Sequence, residues 1–524
     1  MRRWLWWGIG LWLLGCQSSH QEETPAISTS PAFPPLDSIA PWSGEQLAYR
    51  YCQTCHAFPP PNLLPKSVWS GEVLLRMGHR LGIRASPQEP YRGLSMYESY
   101  ILRKAGIFPD TLRITEEGWQ KIIRYYEQHA PDSFPHQTLP EADTTLNLFR
   151  PHSFRLHSSI APTTTLVHFD TVSNHLFVGD ARRNLYELDT HHHILDSLSL
   201  DSPPSDLFVH TDGQKQVLTM GIMNPSDRIL GKVWHLVPNG DSTRLLPENL
   251  RRPVHIASAD LNQNGRADWV IAEFGNYLGE LAWYEGQEDT TFRKHLLAAD
   301  PGARRTEIVD LNQDGLPDIV ALLTQGDERV VGFYNQGKGR FEPRVLLRFP
   351  PVYGSSYFEL ADFNHDGNID ILYTNGDNAD YSAVLKPYHG IRIFLQQEGR
   401  FQEEYFFPMQ GASKAMARDF DQDGDLDIAA ISFFPDFGQT PERGFLYLEN
   451  RSNATELRFQ AATFPEATQG HWLTMDTGDT DQDGDPDLIL GSFALPPSNA
   501  PAELKAYWAQ RGPSFLILEN TTLQ

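Results

Sequence analysis

"DFDQDGDLD", Asp419 to Asp427, is the stretch on which the fold turns. Oxygen-bearing residues fill its first, third, fifth and ninth places, and glycine fills the sixth. Side-chain oxygens at alternate places of a tight turn converge on one side, and glycine allows the sharp bend. A backbone carbonyl at the seventh place and the carboxylate at the ninth complete a shell of hard donors suited to calcium. An EF-hand would require a bidentate glutamate at the twelfth place, where this stretch has Ala430. The reading open beside calcium is an Asp/Gly-rich turn without metal.

The phrase occurs five times, starting at residues 260, 310, 362, 419 and 479, so the repeat is 50 to 60 residues long. Its candidate calcium ligands are Asp260, Asn262, Asn264 and Asp268; Asp310, Asn312, Asp314 and Asp318; Asp362, Asn364, Asp366 and Asp370. The last two copies are wholly acidic: Asp419, Asp421, Asp423 and Asp427, then Asp479, Asp481, Asp483 and Asp487. Each copy runs on into an apolar strand such as "WVIAEF", "IVALL" or "LILGSF", so these loops join strand to strand. That strand is expected to be an inner one, followed by a turn and an aromatic strand such as "ELAWYE" or "GFLYLEN". Repeats of this length, each yielding several short strands, point to a propeller rather than a helical solenoid. Two upstream segments, "TLVHFDTVSNHLFVGDARRNLYELD" and the stretch from Ser205 to Val237, have the same strand rhythm without the aspartates. Two and five predict a mainly β propeller over 151–524 with seven blades, six or eight being the alternatives, and with up to five calcium ions.

Charge agrees with this. Lys+Arg number 43 against 67 Asp+Glu, a formal net charge of -24, which argues against nucleic acid as a partner. Bound calcium in the loops would offset part of that charge where it is densest.

The other end of the chain is different. "MRRWLWWGIGLWLLGC" has two arginines, an apolar or glycine run and then Cys16. The run is shorter than the roughly 20 apolar residues a membrane span needs, and its layout is that of a secretory signal. Residues 16–41, rich in Pro, Ser and Thr, read as a flexible tether.

"YCQTCHAFPPP" begins at Tyr51. No second cysteine pair exists for a structural zinc, and no strand precedes Cys52 as a thioredoxin-like site requires. C-x-x-C-H is the haem c attachment signature. Cys52 and Cys55 would take the covalent bonds and His56 the iron, with a redox disulfide as the alternative. Met77 is the first candidate for the sixth iron ligand, Met96 the second, and His79 lies close by in the sequence. Ser43 and Gln46 have capping-box spacing, and Thr115 caps a helix in which Trp119, Ile122, Ile123 and Tyr126 recur at helical intervals until Pro131. Residues 42–132 are therefore expected to form a small all-α haem domain, joined by a linker, 133–150, to the propeller.

Leu13-Leu14-Gly15-Cys16 resembles a lipobox, which implies cleavage after residues 1–15 and lipidation of Cys16. The five aspartate phrases resemble the VCBS/FG-GAP repeat of calcium-braced propellers, and the helical segment resembles a class I-like cytochrome c domain. The whole layout resembles VCBS-repeat lipoproteins with a fused N-terminal cytochrome c domain, known from Bacteroidetes-like bacteria. That resemblance implies an exported protein, lipid-anchored in the cell envelope, with one haem c and no membrane contact beyond the anchor. It names no substrate. The long polar segment after the third phrase, with Asn375, Asp377, Asn378, Asp380, Tyr381, Lys386, Tyr388 and His389, is the candidate ligand loop. Three functions follow: electron transfer with a redox partner docked on the propeller, oxidation of a small molecule by the propeller, and calcium-dependent binding or adhesion, for instance to a glycan.

Overall fold

The computed structural model describes residues 33–523 apart from 136, 211–212, 237–242, 290, 378–383, 454–455 and 496–497. The signal segment, Cys16, Asn378, Asp380 and Tyr381 thus lie outside the described residues.

From residue 149 onward the described residues form seven four-stranded antiparallel sheets, arranged as the blades of a propeller. Blade 1 starts with strand Thr164–Asp170 and blade 2 with Pro204–Val209. Blades 3 to 7 start with Pro253–Ala259, Ala303–Val309, Ser355–Ala361, Ala412–Arg418 and Trp472–Gly478. These seven first strands pack side by side around the axis. The last blade takes its fourth strand, Phe149–Phe154, from the start of the propeller, pairing Phe149 with Asn520 and Phe154 with Phe515. Closure by the two ends of the chain leaves no unpaired central edge.

Burial explains the strand types. Second strands such as Asp268–Glu273, Asp318–Leu323 and Asp427–Ser432 are buried at every residue, between a first strand and a third. Their continuous apolar runs have no polar alternation because neither face meets water. The strand after each aspartate loop is the second of its blade, and the innermost strand is the one before it.

Each innermost strand also has a bulge at its second residue. The register slips between Thr164 and Leu166, Pro204 and Asp206, Pro253 and His255, Ala303 and Arg305, Ser355 and Tyr357, Ala412 and Lys414, and Trp472 and Thr474. Bulged hydroxyls bridge blades: Thr165 Oγ1 donates to Pro204 O at 2.8 Å and Ser356 Oγ to Ala412 O at 2.8 Å. A bulge increases twist and re-aims the side chains that follow it.

The segment before the propeller is helical. Gly44–Cys52 starts at a capping box made by Ser43 and Gln46, and Glu116–His129 starts at Thr115, whose Oγ1 accepts from Gly118 N at 3.0 Å. These two helices pack on each other through Leu47, Ala48, Tyr51, Trp119, Ile122 and Tyr126, in a core that also takes Trp69, Leu74 and Leu81. Gly44 is required at the crossing, since a Cβ there would stand 2.2 Å from Lys121 O. The helical unit rests on the face opposite the aspartate loops. Val352 of the propeller enters its core, and Phe108 meets Tyr277 edge-on at 5.4 Å.

Candidate functional site

All five aspartate loops adopt one conformation. The fourth residue, Gln263, Gln313, His365, Gln422 or Gln482, has φ between 55° and 68°, and the sixth, always glycine, between 81° and 102°. The two left-handed residues fold the loop so that backbone amides point at side-chain oxygens. Asp260 accepts from Asn264 N at 2.9 Å and Gly265 N at 2.7 Å, and Asp310 and Asp362 repeat the pattern. Side chains at the fourth place also reach the next blade: Gln313 Nε2 donates to Gly367 O at 3.0 Å, and His365 stands 3.5 Å from Asp425.

The ninth residue has a different setting from the other three. Asp268, Asp318, Asp370, Asp427 and Asp487 are at most 1% exposed. Asp427 Oδ2 accepts from Phe420 N at 3.2 Å and Tyr447 Oη at 2.7 Å, and its Oδ1 from Asn450 N at 2.8 Å. In the other blades the amide at the end of the third strand, from Gly286, Asn335, Gln396 or Asn520, makes the same bond. Burial above all pushes the Asp370, Asp427 and Asp487 carboxyls up to about 6. The ninth carboxylate thus ties loop to strand through its backbone amides.

Positions one, three and five come together most closely in the last two blades. Carboxylate oxygens of Asp419, Asp421 and Asp423 lie within 4.8 Å of one another, as do those of Asp479, Asp481 and Asp483. Asp419 Oδ1 and Asp483 Oδ2 are buried without a hydrogen-bond partner. Burial, and then repulsion from Asp423 and Asp483, raises the Asp421 and Asp481 carboxyls. Crowded carboxylates with orphaned oxygens fit a hard divalent cation. In blades 4 and 5 the third residue is an asparagine whose amide donates to the fifth carboxylate, Asn312 to Asp314 at 2.9 Å and Asn364 to Asp366 at 3.1 Å. In blade 3 Asn262 donates instead to Glu285 at 3.0 Å. Charge crowding there is lower.

The C-x-x-C-H motif leaves the end of helix Gly44–Cys52 and meets the propeller. Cys52 and Cys55 are free thiols. Burial pushes the Cys52 thiol up to about 12 and raises that of Cys55. A redox dithiol needs the opposite, a thiolate favoured by its surroundings. His56 is 8% exposed, and its Nδ1 lies 2.8 Å from Ala57 O. A carbonyl only accepts, so Nδ1 holds the proton and the Nε2 lone pair is left for a metal. Burial lowers the His56 pKa and keeps the ring neutral. Met77, on helix Leu74–Arg80, packs partly buried against the same helical core. Met96 is 90% exposed at the first turn of helix Met96–Lys104. The thiols of Cys52 and Cys55 and the free Nε2 of His56 have the chemistry a covalently held haem requires; of the two methionine candidates for the remaining ligand, Met77 is partly buried and Met96 exposed.

The candidate ligand loop has another role in its described part. Tyr388 Oη lies 2.9 Å from Leu63 O of the helical unit and 3.2 Å from Val352 O, and its ring stacks on Tyr353 at 4.8 Å. Asn375 is buried and donates to the carbonyls of Tyr353 and Tyr388. His389 is fully buried, held neutral by burial and by the Lys386 and Arg392 charges, and Lys386 is also buried. Asp377 stands 3.6 Å from Arg304. Tyr388 thus holds the helical unit, while Asn375 and Asp377 are tied to other residues of the propeller. Sequence reasoning mistook polar content for solvent exposure.

Comparison with known proteins agrees with the repeats. The FG-GAP-like repeat family matches residues 260–321, 310–373 and 419–490, so the chain carries FG-GAP-like repeats. No curated protein matches the sequence. Solved structures similar to the chain include BBS1N in complex with ARL6DN, at 10% identity and a TM-score of 0.43, covering 71% of this chain and 97% of that one. The Dos1 propeller is similar at 10% identity and a TM-score of 0.42, covering 69% of this chain and 80% of its own.

Proposed function

We propose that this is an exported electron-transfer protein, lipid-anchored at Cys16 in a bacterial envelope, with one haem c and a calcium-braced propeller that docks a partner or substrate. The observation that carries the haem reading is the Nδ1 contact of buried His56 to Ala57 O, which orients the ring and frees Nε2. Cys52 and Cys55 would hold the haem covalently, and Met77 would complete the iron shell. Bound there, haem supplies one-electron oxidation and reduction. The chain's own part is to bury and orient His56, to keep it neutral, and to fix the motif against the propeller. Asp327 and Arg348 of blade 4 are close enough to act on His56 electrostatically, so the docked face can tune the site.

Calcium in blades 6 and 7 would bind Asp419, Asp421 and Asp423, and Asp479, Asp481 and Asp483. Its role in this reading is structural, because the loops recur around the ring and their ligands come from one local turn.

Haem staining after denaturing electrophoresis tests the central claim. Protein made in a host competent for haem c maturation should stain, and Cys52→Ala with Cys55→Ala should abolish the stain while leaving the propeller folded. An unstained wild-type band from such a host sinks the reading. Met77→Ala should change the ferric haem spectrum and lower the potential, whereas Met96→Ala should do neither.

A further inference from the structure

We propose that the helical unit carries a membrane-contact surface, built on helix Met96–Lys104 and the adjoining loop of blade 2, which lies on an anionic lipid bilayer. The inference rests on the envelope-anchored reading above and deepens it: the chain touches the membrane with this surface as well as through Cys16.

Helix Met96–Lys104 starts at a capping box formed by Ser95 and Glu98, and Leu102 is its one buried residue. Met96 and Tyr100, four places apart, share one face, and Tyr97 lies beside them. All three project into solvent: Met96 is 90% exposed, Tyr100 64% and Tyr97 41%. Glu98 Oε1 accepts from Ser226 Oγ at 2.9 Å, which holds the blade 2 loop against the first turn of this helix. A few residues on in that loop, Ile229 and Leu230 are exposed as well. Large apolar and aromatic side chains gathered in water at one junction mark a contact surface.

The charge around them is positive, in an acidic protein. Arg92, Arg103, Lys104 and Arg228 are exposed, and among the described residues none is in ion-pair contact with a carboxylate. Arg103 lies over the Tyr91 ring at 3.9 Å, a contact that leaves its charge without a counter-ion. The nearby carboxylates are fewer and already engaged. Glu98 also accepts from Ser95 Oγ, Glu89 accepts from Ala85 N and stands 3.7 Å from His79, and Asp110 pairs with Arg84. Asp227 is buried, accepts from the amides of Asn276, Tyr277 and Leu278, and is opposed by Arg251. Four exposed cations therefore outnumber the half-buried Glu89 and Glu98. The aspartate loops, where the acidity of the chain is densest, lie on the far face of the propeller.

A bilayer fits this pattern. Tyrosine favours the headgroup level, Met, Ile and Leu enter the acyl boundary, and arginine and lysine reach anionic headgroups from the rim. The chain also enters the helical unit close by. Phe33, whose ring stacks on Tyr51 at 5.7 Å, comes 17 residues after Cys16. A segment of that length spans up to about 60 Å, several times the roughly 13 Å radius of gyration of a hundred-residue unit. An anchor at Cys16 therefore keeps this surface within reach of the membrane that holds it.

Co-sedimentation with sucrose-loaded vesicles tests this, using the chain from Gln17 onward in calcium. That chain keeps every described residue and has no lipid, so its behaviour reports on the surface alone; the mass of the mature protein reports separately on Cys16. Vesicles of phosphatidylcholine mixed with phosphatidylglycerol should bind roughly tenfold more tightly than phosphatidylcholine alone. Met96→Ser with Tyr100→Ser should weaken binding roughly tenfold, and Arg103→Gln with Lys104→Gln should remove most of the preference for the anionic lipid, both with unchanged circular dichroism. A second measurement needs no variant: trace acetylation of the wild type, read by mass spectrometry, should be slowed by the mixed vesicles at Lys104. It should be unchanged at Lys338, which is exposed between strands Arg329–Asn335 and Phe341–Arg348 on the aspartate-loop side. No vesicle binding is the outcome expected if a protein covers this surface, and it would overturn the proposal. Equal affinity for neutral vesicles, unaltered binding in either folded double variant, or protection of Lys338 in place of Lys104 would do the same.

Discussion

On one face of the propeller, loops are held by residues a few places apart: Gly424 donates to Asp419, and Asp423 N to Asp421. On the other face, contacts join residues far apart in the chain: Tyr388 to Leu63, and Ser226 Oγ to Glu98 at 2.9 Å. The first face is complete in its geometry and incomplete in its charge, since crowded carboxylates repel one another. The second depends on packing. Aromatic contact (Phe108 on Tyr277, Tyr353 on Tyr388) and a buried acid, Glu328, hold it. Both faces should therefore respond to pH through their buried acids, the loop face alone to ions, and the other face to the loss of single contacts.

Chelation should give the largest effect. Metal bound by the folded state alone stabilises by about 2.7 kcal/mol per site at a hundred times its dissociation constant. Two such sites would lower the melting temperature by roughly 10 °C on removal, and scanning calorimetry with and without chelator reads it. An unchanged melting curve, with calcium shown absent by elemental analysis, would erase the proposed contrast between the faces.

Within the loop face, the ninth and fifth residues can be separated. Asp427→Ala leaves the amides of Phe420 and Asn450 and the Tyr447 hydroxyl without their acceptor, and should cost about 3 kcal/mol whether or not calcium is present. Asp423→Asn should lower stability only in calcium. Denaturant titration of both variants with and without the ion makes the distinction, and equal calcium dependence in the two would show that the ninth carboxylate serves the ion more than the backbone.

The opposite face should show its acid. Glu328 accepts from Gly354 N at 3.1 Å and from Ser355 N at 2.7 Å, and burial pushes its carboxyl from 4.5 up to about 7. A carboxyl whose pKa is raised on folding binds its proton more tightly in the folded state. Stability from this group is thus present below its unfolded pKa and lost as pH rises toward 7, by on the order of 2–3 kcal/mol. Melting curves across pH 5 to 7.5 should fall more steeply for the wild type than for Glu328→Gln; identical slopes would remove Glu328 from the account. The smallest effect belongs to Tyr388→Phe, about 1 kcal/mol. Hydrogen exchange should rise in the helical unit and stay constant in the aspartate loops.

The five phrases were legible because each is a local device: nine residues supply the turn and the left-handed glycine. The role of the ninth aspartate was only half legible. The donor that satisfies Asp427 comes from Asn450, at the end of another strand, and no spacing rule marks it. Asparagines at third-strand ends also stitch neighbouring blades, Asn335 to Leu261 O and Asn520 to Phe420 O, each at 2.8 Å. In the sequence these asparagines merely close the aromatic strands, and nothing there marks the blade they reach. The packing role of Tyr388 was hidden for a related reason: polarity can be seen in a sequence, whereas contact with Leu63 cannot.

The sequence by itself determined the repeat, the loop conformation and the helix starts at Ser43 and Thr115, since each follows from repeat length or from contacts within a few residues; the ring of sheets fixed the blade number at seven. Only the tertiary structure decided which face the helical unit covers and what lines the axis. His168, Asp206, His255, Arg305, Tyr357, Lys414 and Asp476 come from seven separate blades, with no common motif. They meet because the sheet ring closes, and ring closure is a property of long-range packing rather than of any one stretch of chain.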